Sequence, residues 1–343
     1  MSKIYDIAIL GASGYTGAEL VRLIETHPQM RVKLMTADRK AGKQMGDVFP
    51  HLRHLDLPEL QKIEAIDLEN VDMVFAALPH GVTHGIAKGL PKTTKLVDLS
   101  ADFRLSDPEV YKYWYGLDHT AMDIQPSVAF GLPEFYRDDV AGAQITANTG
   151  CYVATSLLPL IPVVKAGLIA PEDIIIDAKS GVSGAGRGAK ENLLFTEVDG
   201  GFQPYGVGHH RHMAELDQEL SKAAGRQVTP TFTPHLLPQS RGIEATIYVR
   251  GDATLLHTEL SKRFAAERFV EVLPFGSIPA TQHVRGSNMC HIGVKADRVE
   301  GYAIIMSVTD NLVKGASGMA IQNANLMLGL PEEMGLEMAP LFP

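Results

Sequence analysis

The chain has 343 residues, 45% apolar and 21% charged, with a net charge of −9; that length exceeds one ordinary hydrophobic core and predicts two domains. The acidic balance speaks against a broad nucleic-acid surface, while leaving room for a local cationic pocket that takes a small anion. No run reaches the ~18 uncharged apolar residues of a membrane span and the first residues lack a signal-peptide pattern, so a cytoplasmic location is expected, and only two cysteines, Cys151 and Cys290, leave neither a disulfide framework nor a Cys-rich zinc site.

Residues 4–10 are a β-branched apolar run that reads as a buried parallel strand and leads into Gly11-Ala12-Ser13-Gly14-Tyr15-Thr16-Gly17. Residues 18–24 have helical apolar spacing and stop before Pro28. Strand, glycine-rich turn and helix form the setting of a dinucleotide loop. Glycines allow a pyrophosphate close to the backbone, and the helix N-terminus donates N–H groups to it. The spacing is G-x-x-G-x-x-G rather than G-x-G-x-x-G, which makes the motif only moderately specific. Gly11, Ser13, Gly14, Tyr15, Thr16 and Gly17 are its candidate cofactor contacts. The next strand, residues 32–35, runs into Thr36-Ala37-Asp38-Arg39-Lys40. An acid at this place accepts from the 2′-hydroxyl of NAD, whereas a basic residue pairs with the extra phosphate of NADP. Asp38 argues one way; Arg39 and Lys40 tip the reading to NADP, with a solvated loop as the plain alternative.

Residues 71–78 are a third strand ending in Pro79-His80-Gly81, on the side of the sheet where ligands bind. His80 and His84 stand four apart without a third partner and read as structural. Residues 96–99 form a fourth strand, followed by Ser100-Ala101-Asp102-Phe103-Arg104. The planar fork of Arg104 suits a phosphate; a salt bridge to Asp102 or Asp107 is the other reading. Residues 143–147 are strand-like and pass through Asn148-Thr149-Gly150 to Cys151, where an apolar helical run begins. A cysteine at such a turn meets backbone N–H groups and the positive helix end, which favour a nucleophilic thiolate. A buried, inert cysteine is the alternative.

Beyond Gly167, residues 174–178 open a second domain, and residues 181–188 hold four glycines that either hinge or let backbone approach a ligand. His209, His210 and His212 precede a helix over 213–224; no nearby Cys or H-E-x-x-H pattern supports a metal. Alternating segments at 228–232, 242–249, 291–295 and 302–309 predict a mostly antiparallel sheet, with Pro234, Pro238, Pro274 and Pro279 in the connections. Residues 315–327 form a small-residue helix suited to packing back on the first domain.

Taken in this order, the glycine loop at 11–20, Asp98 to Leu105, Gly131-Leu132-Pro133-Glu134, Asn148 to Tyr152, Gly184-Ala185-Gly186-Arg187, His210-Arg211-His212 and Gly286-Ser287-Asn288 resemble the N-acetyl-γ-glutamyl-phosphate reductase family over nearly the full length. Thr149, Val153 and Ala214 stand where that family usually has Pro. The resemblance implies a glyceraldehyde-phosphate-dehydrogenase-like architecture: a doubly wound Rossmann α/β domain over 1–150, to which 312–343 returns, and an α+β catalytic and dimerisation domain over 151–311. It implies attack of Cys151 on an acyl phosphate, release of inorganic phosphate, and reduction of the thioester by NADPH. It further implies His212 as acid/base with Glu215 orienting it, His210 sharing that role or binding substrate, Ser183 and Gly184 as further cofactor contacts, and Ser100, Arg104 and Asn148 as substrate contacts. No metal, membrane or nucleic-acid partner is implied, and a homodimer or homotetramer is. The related acetyl-aminoadipyl-phosphate reductases are the nearest alternative; a non-catalytic NADP-binding sensor with an inert Cys151 is the alternative of another class.

Overall fold

The computed structural model describes residues 3–342. They divide into two compact units, one running to Thr149 and including Ala316–Glu337, the other Gly150–Gly315 with residues from Met338 onward.

In the first unit, short apolar runs become strands buried on both faces, as parallel sheets require. They are β1 (Tyr5–Leu10), β2 (Met30–Thr36), β3 (Leu60–Gln61), β4 (Met73–Ala76), β5 (Lys95–Asp98), β6 (Ala129–Gly131) and β7 (Ile145–Asn148). Their order is β3-β2-β1-β4-β5-β7-β6 with every pairing parallel. The order reverses between β1 and β4, which makes the turn after β1 the switch point where such sheets bind ligands. Gly11 occupies that turn at φ +85°, and a Cβ there would lie 2.2 Å from the Ala77 carbonyl oxygen. The returning segment supplies a buried helix, Gly318–Met327, that packs on β5, β6, β7 and the helix Pro133–Gly142. It starts beyond a single π-helical stretch, Val313–Ser317, rather than at Gly315. Asn323 fastens it by donating to the Gly131 carbonyl (3.2 Å) and to Asn148 Oδ1 (3.0 Å).

The second unit is built on β8 (Ile175–Gly181), β9 (Gln203–Pro204), β10 (Thr231–Leu237), β11 (Ile243–Arg250), β12 (Val270–Val272), β13 (Cys290–Ala296) and β14 (Tyr302–Thr309), in the order β12-β13-β14-β11-β8-β10-β9. The predicted antiparallel pattern holds for β9/β10, β8/β11, β11/β14 and β13/β14, while β8/β10 and β12/β13 run parallel. Alternate residues of β11 are buried, the mark of a sheet covered on one face. The helix Cys151–Lys165 packs on β11 and β14 and against two further helices, His212–Ala224 and Ala253–Phe264.

Two expectations are corrected here. Pro234 lies inside β10 rather than in a connection. The strand β10 tolerates it because its outer neighbour β9 is only two residues long, leaving β10 an edge strand over most of its length. The return to the first unit ends at Glu337; beyond it the chain belongs to the second unit, where the Leu341 N–H donates to the Arg285 carbonyl (2.7 Å) and the Leu341 side chain packs over Gly286.

Candidate active site

In the second unit, Cys151 is the first residue of its helix, and the preceding Gly150 is an extended N-cap that offers no side chain to the open N–H groups. A sulfur here faces the donor end of a helix. Gly150 is clasped from the helix His212–Ala224: the buried Glu215 carboxylate accepts its N–H at 3.0 Å, and the His212 ring lies so close that a Cβ on Gly150 would stand 2.4 Å from Nε2. On another side, a Cβ on Gly315 would stand 2.9 Å from Cys151 Cβ. Cysteine, imidazole and carboxylate are therefore gathered round one glycine, and the crowding explains why side chains are excluded at 150 and 315.

His210 and His212 differ in environment. His210 Nδ1 accepts the backbone N–H of His212 at 3.2 Å, which puts the proton of the neutral ring on Nε2. The His210 ring stands among those of Tyr152, Tyr205 and Phe232. Burial there, with Arg211 beside it, pushes its pKa down to about 4. Tyr205 donates its hydroxyl to that of Tyr152 (3.1 Å), which donates to the His235 carbonyl (3.2 Å). Burial raises both phenols, Tyr205 to about 12, so they act as fixed donors and not as bases. Ser183 and Gly184 lie in the 3-10 turn Val182–Ala185, where Ser183 Oγ accepts from Asn311 (2.9 Å) and Gly184 is exposed.

In the first unit, Gly14 caps the helix Tyr15–Ile24 without a side-chain bond, and a Cβ on Gly17 would lie 2.5 Å from the Ala12 Cα. Ser13 is half-buried before the helix, Tyr15 and Thr16 open it, and a helix N-terminus of this kind is where N–H groups can take a pyrophosphate. The turn after β2 leaves Arg39 and Lys40 exposed, and it holds Asp38 in a 2.7 Å ion pair with Lys62.

Arg104 is 9% exposed and donates through Nε to the Asn148 carbonyl (2.8 Å) and through an Nη to the Leu99 carbonyl (3.1 Å). Asp102 instead accepts from the N–H groups of Gly81 and Thr83 and from Tyr111, and Asp107 caps the helix Pro108–Tyr115. Ser100 donates twice to the buried Asp98, whose pKa rises to about 6 through desolvation and the neighbouring Asp102 charge. Asn148, expected to meet substrate, turns its amide inward: Oδ1 accepts from Asn323 and Nδ2 donates to the Ala316 carbonyl (3.1 Å). Its buried amide secures the end of β7. His84 binds the Asp102 carbonyl (2.9 Å) and packs its ring at a tilt against His119, as a structural histidine would.

Tyr205, Gly315 and Lys62 escaped the sequence reading. Gly315 stood in view within a small-residue stretch; nothing in the spacing marks Tyr205 or Lys62, which reach their partners only through sheet pairing and loop folding. Among the described residues, no group of three or more His, Cys, Asp or Glu side chains is placed to hold a metal ion, and no helix is long and apolar enough to cross a membrane.

Residues 6–143 match the semialdehyde dehydrogenase NAD-binding domain, and residues 151–311 match the semialdehyde dehydrogenase dimerisation domain. By structure the chain is similar to aspartate semialdehyde dehydrogenase II of Vibrio cholerae complexed with ASA (TM-score 0.71, 18% identity, 96% of this chain and 99% of that one). It is also similar to the aspartate semialdehyde dehydrogenase of Candida albicans with NADP (TM-score 0.67, 18% identity, 95% and 99%). These likenesses establish the fold. By sequence it is 57% identical to an N-acetyl-gamma-glutamyl-phosphate reductase of Cereibacter sphaeroides over 99% of this chain and 100% of that one. Reductases of the same name from Ruegeria pomeroyi (57%, 99% and 99%) and Paracoccus denitrificans (55%, 98% and 98%) are similarly close. With such identity running nearly end to end, the chain belongs to the N-acetyl-γ-glutamyl-phosphate reductase family.

Proposed function

We propose that this protein reduces N-acetyl-γ-glutamyl phosphate to N-acetylglutamate semialdehyde and inorganic phosphate, a step of arginine biosynthesis, through a thioester on Cys151. The observation that carries the reading is the gathering of Cys151, His212 and Glu215 round Gly150 at an uncapped helix start. Cys151 thiolate attacks the acyl carbon and the C–O bond to phosphate breaks, leaving a thioester that accepts hydride far more readily than a carboxylate. Bound NADPH supplies that hydride. His212 then gives a proton to the oxygen of the reduced carbon and takes it back as the C–S bond breaks, which frees the aldehyde and returns the thiolate. Glu215, expected to orient His212, binds the Gly150 N–H and in this reading holds the glycine in front of the sulfur. Arg104 is the phosphate ligand of this reading: its bonds through Nε and one Nη to the Asn148 and Leu99 carbonyls fix the guanidinium plane, and the group carries five N–H donors in all where an ammonium is a point charge. Ser100 is a further substrate contact in this reading, and its bonds to Asp98 steady the loop that carries Arg104.

The nicotinamide cofactor is held by the Gly11 to Gly17 turn, whose two close backbone approaches admit only glycine. Arg39 and Lys40, exposed at the end of β2, support NADP over NAD. Ser183 and Gly184 are further cofactor contacts in this reading, and the 151–311 domain assembles a homodimer or homotetramer in the cytoplasm. The test is phosphate-dependent NADP reduction with N-acetylglutamate semialdehyde, run beside its aminoadipate homologue and aspartate semialdehyde. The first substrate is expected to give the highest kcat/KM by at least about tenfold; a preference for the homologue reassigns the enzyme to lysine biosynthesis, and no turnover with any of them sinks the acyl-phosphate reading.

A further inference from the structure

The turn after β2 carries a contradiction: Asp38 is the acid that suits NAD, and Arg39 and Lys40 are the bases that suit NADP. The fold adds another charge that lies 24 residues further along the chain. Pairing of Met35 with Leu60 and of Thr36 with Gln61 sets β3 beside the end of β2. The register continues past the strands, with Ala37 N–H on the Gln61 carbonyl (2.9 Å), Gly42 N–H on the Leu60 carbonyl (2.7 Å) and Leu60 N–H on the Lys43 carbonyl (3.0 Å). The turn 37–43 is thus laced to β3 from both ends, and Lys62 emerges at a fixed place beside it. Its Nζ donates to Asp38 Oδ1 at 2.7 Å. Asp38 is thereby held further toward its ionised form, mainly by the bond to Lys62, with Arg39 adding to the effect. Glu59 and Glu64 flank β3, whereas the turn carries Arg39, Lys40 and Lys43 in the same short segment as Asp38, and Lys62 adds its ammonium on the Asp38 carboxylate from beyond β3.

We infer that Lys62 is a specificity residue for the cofactor: by engaging Asp38 it withholds the acceptor that a 2′-hydroxyl would use and completes a cationic seat for a 2′-phosphate. An acid left alone at this place repels a phosphate dianion, while one engaged by Lys62 leaves the surrounding cations in excess. The inference rests on the NADP reading and deepens it.

The test measures dissociation constants of NADPH and NADH by cofactor fluorescence on the full chain, for the wild type, Lys62→Ala, Asp38→Ala and the double variant. All of these changes are at exposed positions and leave the core untouched. Lys62→Ala is expected to lower the NADPH-over-NADH preference by about three- to fivefold, the reach of one exposed charge contact. Removing Asp38 as well is expected to recover part of the NADPH affinity and to abolish any NADH gain. A change below about threefold in Lys62→Ala, or no recovery in the double variant, shows the pair to be an ordinary surface contact and overturns the inference. Wild-type preference for NADH sinks the NADP reading and this inference together, whereas wild-type NADPH preference with an indifferent Lys62 sinks the inference alone.

Discussion

Two cysteines in one chain meet opposite fates. Cys290 is buried in β13 with Sγ 3.4 Å from Ser307 Oγ, a small core residue, while Cys151 opens a helix beside an imidazole. Cys151→Ser is therefore expected to keep NADPH affinity and lose nearly all turnover, because an alcohol is a poor nucleophile at neutral pH without its own base. Cys290→Ser should keep its kcat; wild-type turnover in Cys151→Ser rules out the covalent route. The two histidines separate in the same way. His210, with a pKa pushed down to about 4, stays uncharged at neutral pH, and its one lone-pair nitrogen, Nδ1, is already accepting the His212 N–H. His210→Asn, which retains an acceptor near that place, should leave the pH limits of kcat/KM unmoved, whereas His212→Asn should remove the limit belonging to the acid/base. A vanished limb in His210→Asn exchanges their roles. For Arg104, replacement by Lys keeps the charge and loses the fork. It should raise the KM for phosphate in the reverse direction by a factor that corresponds to about 1.5–3 kcal/mol while sparing NADP affinity. Weakening of both ligands alike marks a structural residue. The order His-Arg-His could not tell the two imidazoles apart, since what distinguishes them is a backbone bond and three rings brought from the helix Cys151–Lys165, the turn after β9 and the strand β10.

At the scale of elements, two glycines decide whether the nucleophile turn closes. A methyl group on Gly150 meets the His212 ring, and one on Gly315 meets Cys151 Cβ. Gly315→Ala is expected to lower stability by about 1–3 kcal/mol, the usual cost of overpacking, and to cut kcat more than it changes KM. Denaturant unfolding and steady-state kinetics on the same sample check both, and an unchanged kcat removes Gly315 from the site. The helix His212–Ala224 carries a separate signal in Asp217, whose burial raises its pKa to about 6. Ionising a group with a raised acid pKa costs stability as the pH rises through and above the unfolded value. Asp217→Asn should thus raise Tm at pH 8 and leave it unchanged near pH 3.5, below both values; an equal shift at both pH values traces the gain to packing instead.

For the whole molecule, acid sensitivity follows from His210 with the sign worked through. Its folded pKa of about 4 lies below the ordinary 6.5, so the unfolded chain binds the proton first and stability falls as the pH drops from 6.5 toward 4. Buried Asp98 works against it, since its raised value of about 6 favours the protonated fold over the same range. Asn323 belongs to this scale as well, because it fastens a helix near residue 320 to strands β6 and β7 formed nearly two hundred residues earlier. Asn323→Ala leaves the Gly131 carbonyl and Asn148 Oδ1 without that donor. It should cost about 1–3 kcal/mol in urea unfolding, and a neutral result shows that water replaces the amide.

What the amino-acid order determined by itself was everything set by local pattern. The buried runs of β1, β4 and β5, the glycine turn before the helix Tyr15–Ile24, and the cysteine at the head of an apolar helix all follow from residue type and spacing over fewer than twenty positions. The mostly antiparallel character of the second sheet followed from period-two alternation, because one covered face leaves that pattern. Tertiary structure alone decided the pairings between distant residues. It placed Pro234 inside β10, since only sheet order reveals an edge; it turned Asn148 inward onto Asn323; it tied Glu215 to Gly150; and it brought Lys62 to Asp38. Such contacts depend on which strand lies next to which and in what register, and a side-chain pattern carries the period of a strand but not the identity of its neighbour.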